Sequence, residues 1–321
     1  MKILVTGAAG FIGSHLTEKL LSEGHEVRAF VRYNSRNAWG WLENIDHPNL
    51  EVYSGDIRDY DSVHMSMKGI DVVYHLAALI GIPYSYVSPM AYIKTNIEGT
   101  YNVLQSAREF GIRVIHTSTS EIYGTAQYVP IDEKHPVNPQ SPYAATKSGA
   151  DQLALTYYRS FETPVVVVRP FNTYGPRQSA RAIIPTIISQ ALSGVKEIKL
   201  GNLTPTRDLN YVTDTANGFM KVGMSDKAIG KVVNLGTGKE ISIGDLADMI
   251  LSIIGSSATI ISEGQRLRPK NSEVERLCAN AALAKEVSDW KPQVSLDDGI
   301  KMTIEWVKAN LGTFKPSIYN V

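Results

Sequence analysis

The sequence predicts an α/β protein, a doubly wound parallel sheet with a smaller C-terminal lobe, and three observations carry that prediction. Short runs rich in β-branched residues alternate with longer helical patterns through the first half. These runs are apolar along their whole length, as strands covered on both faces are. After about Pro170 the alternation loosens, and longer polar loops separate the helical patterns.

In chain order, "KILVT", "EVRAFV", "EVYSG", "DVVYHLA", "RVIHTS" and "PVVVVRP" read as strands, being short, β-branched and bounded by turn residues. "SHLTEKLLSEG" and "AYIKTNIEGTYNVLQSAREFG" read as helices closed by Gly24 and Gly111, because glycine takes the left-handed conformation that ends a helix. "SPYAATKSGADQLALTYY" opens another, with Ser141 as N-cap and Pro142 at the first helical position. "RAIIPTIISQALSG", "SIGDLADMILSIIG" and "LDDGIKMTIEWVKANL" supply helices to the second half.

Composition narrows the function. A chain of 321 residues, 43% hydrophobic, with 32 basic and 32 acidic side chains, can bury a large core and has no bulk charge to draw it to nucleic acid or an anionic membrane. The single cysteine, Cys278, excludes an intramolecular disulfide and a zinc site built on several cysteines, so no metal is expected and a reducing compartment, the cytoplasm, is. The first apolar run breaks at Gly7, too early for a signal-peptide core. No stretch approaches the roughly 20 apolar residues of a membrane span.

"ILVTGAAGFIGSHL" sets Gly7, Gly10 and Gly13 between the first strand and the first helix, with Phe11 and Ile12 among them as further cofactor-binding candidates. Glycine there lets the backbone turn tightly and approach a pyrophosphate, which the helix N-terminus then favours. The pattern predicts a Rossmann-type dinucleotide-binding domain over residues 1–170, with later returns near 208–238, and a lobe mainly over 171–321 that holds the substrate. The second strand ends in "FVRYNSRN", where Arg32 stands in place of the acid that usually holds the ribose 2'-hydroxyl. That leaves NADP open beside NAD, unless Arg32 is a solvated loop charge. Asp56, followed by Ile57 in "SGDIRD", either accepts from the adenine amino group or caps the next helix.

Tyr143 and Lys147 are four residues apart, on one helix face. An ammonium beside a phenol stabilises the phenolate, and an oxidised nicotinamide adds positive charge, so the spacing predicts a tyrosine base able to take a proton from a sugar hydroxyl.

Gly7, Gly10, Gly13, the "HLAA" that contains Leu76, Ala77 and Ala78, then Thr119, Tyr143 and Lys147, followed by "RPFNTYGPRQ", "RDLNYVTD" and "LRP", resemble in order the motifs of the extended short-chain dehydrogenase/reductases. That family comprises nucleotide-sugar epimerases, dehydratases and decarboxylases. More narrowly, "AFVRYNSRNAWGWLE", "LAALIGIPYSY" and "GTAQYVPIDEKHPVNPQSPYAATK" are similar to the NAD-dependent dehydratases that open bacterial nonulosonic acid pathways of the legionaminic acid type. Those act on a nucleotide-linked N-acetylglucosamine.

The resemblance implies the remaining roles. Thr119 would hydrogen-bond the reacting hydroxyl beside Tyr143. Many 4,6-dehydratases carry Asp-Glu at the next two positions, whereas this chain has Ser120 and Glu121, as the GDP-mannose 4,6-dehydratases and the UDP-glucuronate decarboxylases do. Glu121 would take the C5 proton after C4 is oxidised, and Ser120 or a water would relay a proton to the departing C6 oxygen. Hydride return at C6 would give a 4-keto-6-deoxy sugar, with NAD or NADP tightly bound and recycled. Asn172, Arg207 and Arg268 resemble the diphosphate and ribose contacts, each arginine being otherwise a surface charge, a reading that suits Arg266 better than Arg268. Tyr84 and Tyr86 would line the sugar pocket or pack in the core. A 4-epimerase or UDP-glucuronate decarboxylase remains the alternative. A homodimer formed through the helices beginning near Met90 and Tyr143 is expected.

Overall fold

A computed structural model describes residues 1–36 and 38–319. Asn37, within "FVRYNSRN", lies outside the described residues. Seven parallel strands form the central sheet. Six are the expected runs: β1 (Lys2–Thr6), β2 (Glu26–Arg32), β3 (Leu50–Gly55), β4 (Val72–His75), β5 (Arg113–Thr117) and β6 (Val165–Pro170). The seventh, Val232–Leu235, is only four residues long and does not stand out from its loops by periodicity. Spatial order is Val232–Leu235, β6, β5, β4, β1, β2, β3. The order reverses between β1 and β4, which opens a crevice beyond their C-terminal ends, where such sheets take their ligands.

Both faces of the sheet are covered, which is why its strands are apolar throughout. Val165, Val166, Val167 and Val168 are each 0% exposed. Val166 and Val168 pack with Leu16, Leu20 and Phe219 on one face, and Val165 and Val167 with Val103, Leu104 and Ala154 on the other. Full burial of a valine contributes about 1.5 kcal/mol, so a polar residue in this run would cost the domain much of its margin.

The helix after β1, α1 (Phe11–Ser22), starts at Phe11 rather than at Ser14, with Gly10 as its N-cap. Gly13 therefore sits inside its first turn. The segment after Pro89 is helical to Phe110, but Ile93–Glu98 is wound as π-helix. The helix ends at Gly111, whose φ of 69° is the left-handed closure the sequence predicts.

Beyond β6 a smaller sheet forms around Thr206–Tyr211, flanked by Glu240–Ser242, Arg276–Leu277 and Asn172–Tyr174. Helices Ile183–Leu192, Ile243–Ile254 and Leu296–Ala309 close over it through Ile187, Ile250 and Ile304. This sheet places Asn172 and Arg207 beside the crevice of the main sheet.

Candidate active site

β5 runs out of the core into a polar turn. Val114 and Ile115 are fully enclosed, and Ser118, Thr119, Ser120 and Glu121, although polar, are all buried as well. Thr119 is the last extended residue; its hydroxyl accepts from the Glu121 amide (3.3 Å) and starts one 3-10 turn, Ser120–Tyr123. Gly124 ends the turn at φ 65°, where a Cβ would lie 2.2 Å from the Asn138 carbonyl. The turn thus holds four polar side chains out of water at the sheet's C-terminal edge.

The helix Pro142–Phe161 brings Tyr143 and Lys147, the candidate acid–base pair, to the same edge. Ser141 accepts from the Ala144 amide (3.1 Å), a cap worth about 1 kcal/mol, and sets where the first turn starts. Tyr143 and Lys147 are 7% and 3% exposed. Burial pushes the Tyr143 phenol well up, against a hydrogen bond from Thr119 that favours the phenolate, while Glu121, Tyr92 and Asp151 add to the rise. Burial lowers Lys147 to about 8, against the attraction of Asp151. In the protein without a nicotinamide, burial of the phenol sets the direction of the Tyr143 shift.

The glycine turn forms a cradle that only glycine can line. Gly7 takes φ 72°, and a Cβ there would lie 2.9 Å from the Ala77 nitrogen; a Cβ on Gly13 would lie 2.2 Å from the Gly7 carbonyl. The Gly10 amide donates to the Gly7 carbonyl (3.0 Å), leaving the first turn of α1, at Phe11 and Ile12, to present free amides. Leu76 and Ala77 are tied to this turn, since their amides donate to the Thr6 carbonyl and hydroxyl (both 3.2 Å), and Ala78 continues the wall. Arg32 is exposed at the end of β2. These residues fit a dinucleotide pyrophosphate.

Asp56 does not cap the helix Tyr60–Ser66; Asp59 does, accepting from the Ser62 amide (3.3 Å). Asp56 is instead gripped by Arg58 (Nε–Oδ1 3.0 Å), which holds its carboxyl below the usual range. Ile57 is buried beneath the Gly99 backbone.

Across the crevice, Arg207 is buried and lies close enough to Glu121 for their charges to interact. Arg207 and Arg268 both pair with Glu273, at 3.5 and 3.3 Å, and Glu275 adds to the negative charge acting on Arg207. The Asn172 side-chain oxygen is buried with no hydrogen-bond partner. Arg266 corrects the expectation of a surface charge: it pairs with Glu263 (2.8 Å), lies over the Tyr319 ring and, at 11%, is more enclosed than Arg268 at 27%. Tyr84 is 37% exposed and starts a line of rings, Tyr84 to Tyr92 (6.1 Å) to Tyr143 (6.3 Å), from the surface to the phenol. Tyr86 bonds Ser272 (2.6 Å). The structure thus gathers Thr119, Ser120, Glu121, Tyr143, Lys147, Arg207 and Arg268 around one crevice. Arg32 and Asp56 lie at the ends of β2 and β3.

Several residues that hold the site were not singled out in the sequence. Asn96, in the π turn, accepts from the Leu79 amide (2.8 Å) and donates to Thr146 (3.1 Å), fastening the chain after "HLAA" to the helix that carries Tyr143 and Lys147. The four buried acceptor contacts of Asp208 with Thr237, Gly238 and Ala279 hold the small sheet together, and Asp214 does the same for Gln293 and Val294. Arg177, at φ 69°, grips Glu18 of α1 with both terminal nitrogens (2.9 and 2.8 Å). Much of "RPFNTYGPRQ" and "RDLNYVTD" is therefore architecture. The acid spacing of Asp151, four residues past Lys147, was the one available signal for a further buried partner.

Among the described residues no group of three or more His, Cys, Asp or Glu is placed to hold a metal ion, and no helix is long and apolar enough to cross a membrane.

A family model described as GDP-mannose 4,6 dehydratase matches residues 4–303. UDP-glucuronic acid decarboxylase 1 of Xenopus tropicalis is 34% identical, over 97% of this chain and 73% of that protein. The structure of UDP-glucuronic acid 4-epimerase from Bacillus cereus, in complex with UDP-glucuronic acid and NAD, superposes with a TM-score of 0.88 at 32% identity, covering 97% and 100% of the two chains. That of dTDP-glucose 4,6-dehydratase from Bacillus anthracis, in complex with NAD, gives 0.85 at 29% identity, covering 98% and 99%.

Proposed function

The chain belongs to the GDP-mannose 4,6-dehydratase family of extended short-chain dehydrogenase/reductases, and within it we propose that it is a nucleotide-sugar 4,6-dehydratase acting on an N-acetylglucosamine linked to UDP or GDP. Residues 1–170, with returns near 208–238, hold the dinucleotide; residues 171–321 mainly hold the nucleotide sugar. Bound in the glycine cradle, NAD or NADP supplies reversible hydride exchange, so that the elimination runs with no net oxidation and the cofactor stays bound between turnovers.

The residues do the proton work. Tyr143, as the phenolate that the Lys147 ammonium favours, takes the proton of the C4 hydroxyl, which Thr119 orients. A ketone at C4 acidifies C5, and a Glu121 carboxylate oxygen takes that proton. Ser120, or a water it orients, passes a proton to the leaving C6 oxygen. Arg207 and Arg268 grip the diphosphate, for which their planar donors are suited, and the Asn172 side-chain NH2 donates to it. With hydride returned to C6 and the Glu121 proton returned to C5, the product is a 4-keto-6-deoxy sugar nucleotide.

The observation that carries this reading is the burial of Glu121, 8% exposed, in the same turn as Thr119 and beside Arg207. A C5 base is needed for elimination and has no task in epimerisation. Glu121→Gln should therefore lower dehydration by a factor of about 100 or more, the range of a general base. Full dehydratase activity in that variant would defeat the assignment.

The second reading, a 4-epimerase or UDP-glucuronate decarboxylase, is favoured by the likeness to proteins of those names and by the Thr-Ser-Glu triplet. It predicts turnover of UDP-glucuronate. The enzyme is proposed to act in the cytoplasm as a homodimer.

A further inference from the structure

Behind the catalytic helix lies a buried ionic group that the mechanism above leaves unused. The Asp151 side chain is 0% exposed and one turn below Lys147. Its carboxylate accepts from Ser118 (2.6 Å) and from Arg169 through Nε and Nη2 (3.2 and 3.1 Å), and meets His116 Nε2 at 3.2 Å. Arg169 goes on to donate to the Tyr123 hydroxyl (2.9 Å), which donates to Asn234 (2.8 Å). Three elements, β5, β6 and the catalytic helix, thus converge on one carboxylate. Ser118 is the residue immediately before Thr119.

We propose that Asp151 is a positioning residue for the reaction: through Ser118 it fixes the exit of β5 and so the Thr119 hydroxyl, and its charge keeps Lys147 cationic. The role rests on the proton transfer at Tyr143 proposed above and is independent of which sugar is turned over.

The charges facing this pocket make the second half quantitative. Lys147 and Asp151 come from the catalytic helix, Arg169 from β6, His75 from β4 and His116 from β5, with Glu121 and Tyr92 nearer to Tyr143. Burial keeps both histidines depressed in pKa and so neutral. Lys147 and Arg169 face Asp151, while the buried Glu121 lies nearer to Tyr143, so the cations and anions around the pair balance. Without Asp151, Lys147 would face Arg169 uncompensated, and the cheapest relief is loss of the Lys147 proton. Asp151 also repels the phenolate, so its removal lowers the titration of both members of the pair.

Three variants separate the two roles. In Asp151→Asn the shape is kept and the charge lost. Tyr143, followed by its phenolate absorbance against Tyr143→Phe, and Lys147, followed by NMR with nitrogen-labelled lysine, should both titrate about one pH unit lower. The double variant D151N/R169Q restores the net charge and should return Lys147 toward its wild-type titration. Ser118→Ala keeps the charge and cuts the link to β5; kcat/KM should fall about tenfold with the limbs of the pH profile unmoved. Unmoved titrations in D151N, even with a lower melting temperature, would make Asp151 purely structural and overturn the charge role. Full activity in S118A would overturn the positioning role. Should D151N not fold, the wild-type Lys147 titration decides: an ammonium at neutral pH supports the proposal and a neutral amine overturns it. Failure of the underlying Tyr143 reading is visible separately, as turnover retained by Y143F.

Discussion

His75 and His116 sit side by side beneath the site, with ring centroids 5.7 Å apart, and are 2% and 0% exposed. His75 is held between Thr6 (2.8 Å) and Thr100 (3.1 Å), which a neutral ring satisfies. Burial depresses both pKa values below 6.5, and the Lys147 charge adds to this. The unfolded chain therefore takes up protons that the folded one refuses. Stability is fully present above 6.5 and falls as the pH drops below it toward the depressed folded values, by up to about 1.4 kcal/mol per pH unit for each histidine. Melting curves from pH 7.5 down to about 5 check this; His75→Asn should flatten the slope, and an unchanged slope would show that these rings do not set it. Tyr143 and Lys147 were legible in the sequence because a helix repeats every fourth residue, and Thr119 and Glu121 through their motif. Arg169, Asn96 and the partners of Asp151 were not, because these groups pair across 17 to 50 residues and only the folded sheet brings them together.

At the scale of elements, the turn from β1 into α1 is held by close backbone approach rather than by side chains. A Cβ at Gly13 would overlap the Gly7 carbonyl at 2.2 Å, whereas at Gly24, φ 81°, nothing lies within 4 Å. The two glycines are thus constrained by different physics. Gly13→Ala should displace the turn and release the bound dinucleotide, measured by its content in the purified protein. Gly24→Ala should lower stability by about 1 kcal/mol, the cost of a left-handed alanine, and leave that content unchanged. Equal retention of cofactor in both variants would argue against the cradle. The same turn shows how element boundaries are read from sequence: glycine spacing located the turn, but α1 begins at Phe11, three residues before the first strongly helical pattern, because Gly10 can serve as N-cap without a side chain. The π turn at Ile93–Glu98 had no sequence signal; it is fixed by the tertiary bonds of Asn96.

At the scale of the molecule, the helices Gly99–Phe110 and Pro142–Phe161 leave Tyr101, Phe110, Tyr158 and Phe161 between 37% and 47% exposed, with Met90 and Ile93 at the start of the first. An apolar surface of this kind is suited to a second copy of the chain. Sedimentation should give a dimer for the wild type and a monomer for Tyr101→Glu, and a wild-type monomer would remove the dimer from the account. The parallel sheet was readable from length and composition because burial on both faces forces continuous apolar runs. The small sheet was not, since its strands are two to six residues long and are paired across up to 70 positions. The choice of reaction depends on what happens at C5 and C6 of the sugar, so the most direct test is to incubate the purified protein with UDP- and GDP-N-acetylglucosamine and weigh the product. The account predicts a sugar nucleotide lighter by one water, formed without added cofactor. A C4 epimer of unchanged mass, with no loss of water from either substrate, would contradict it.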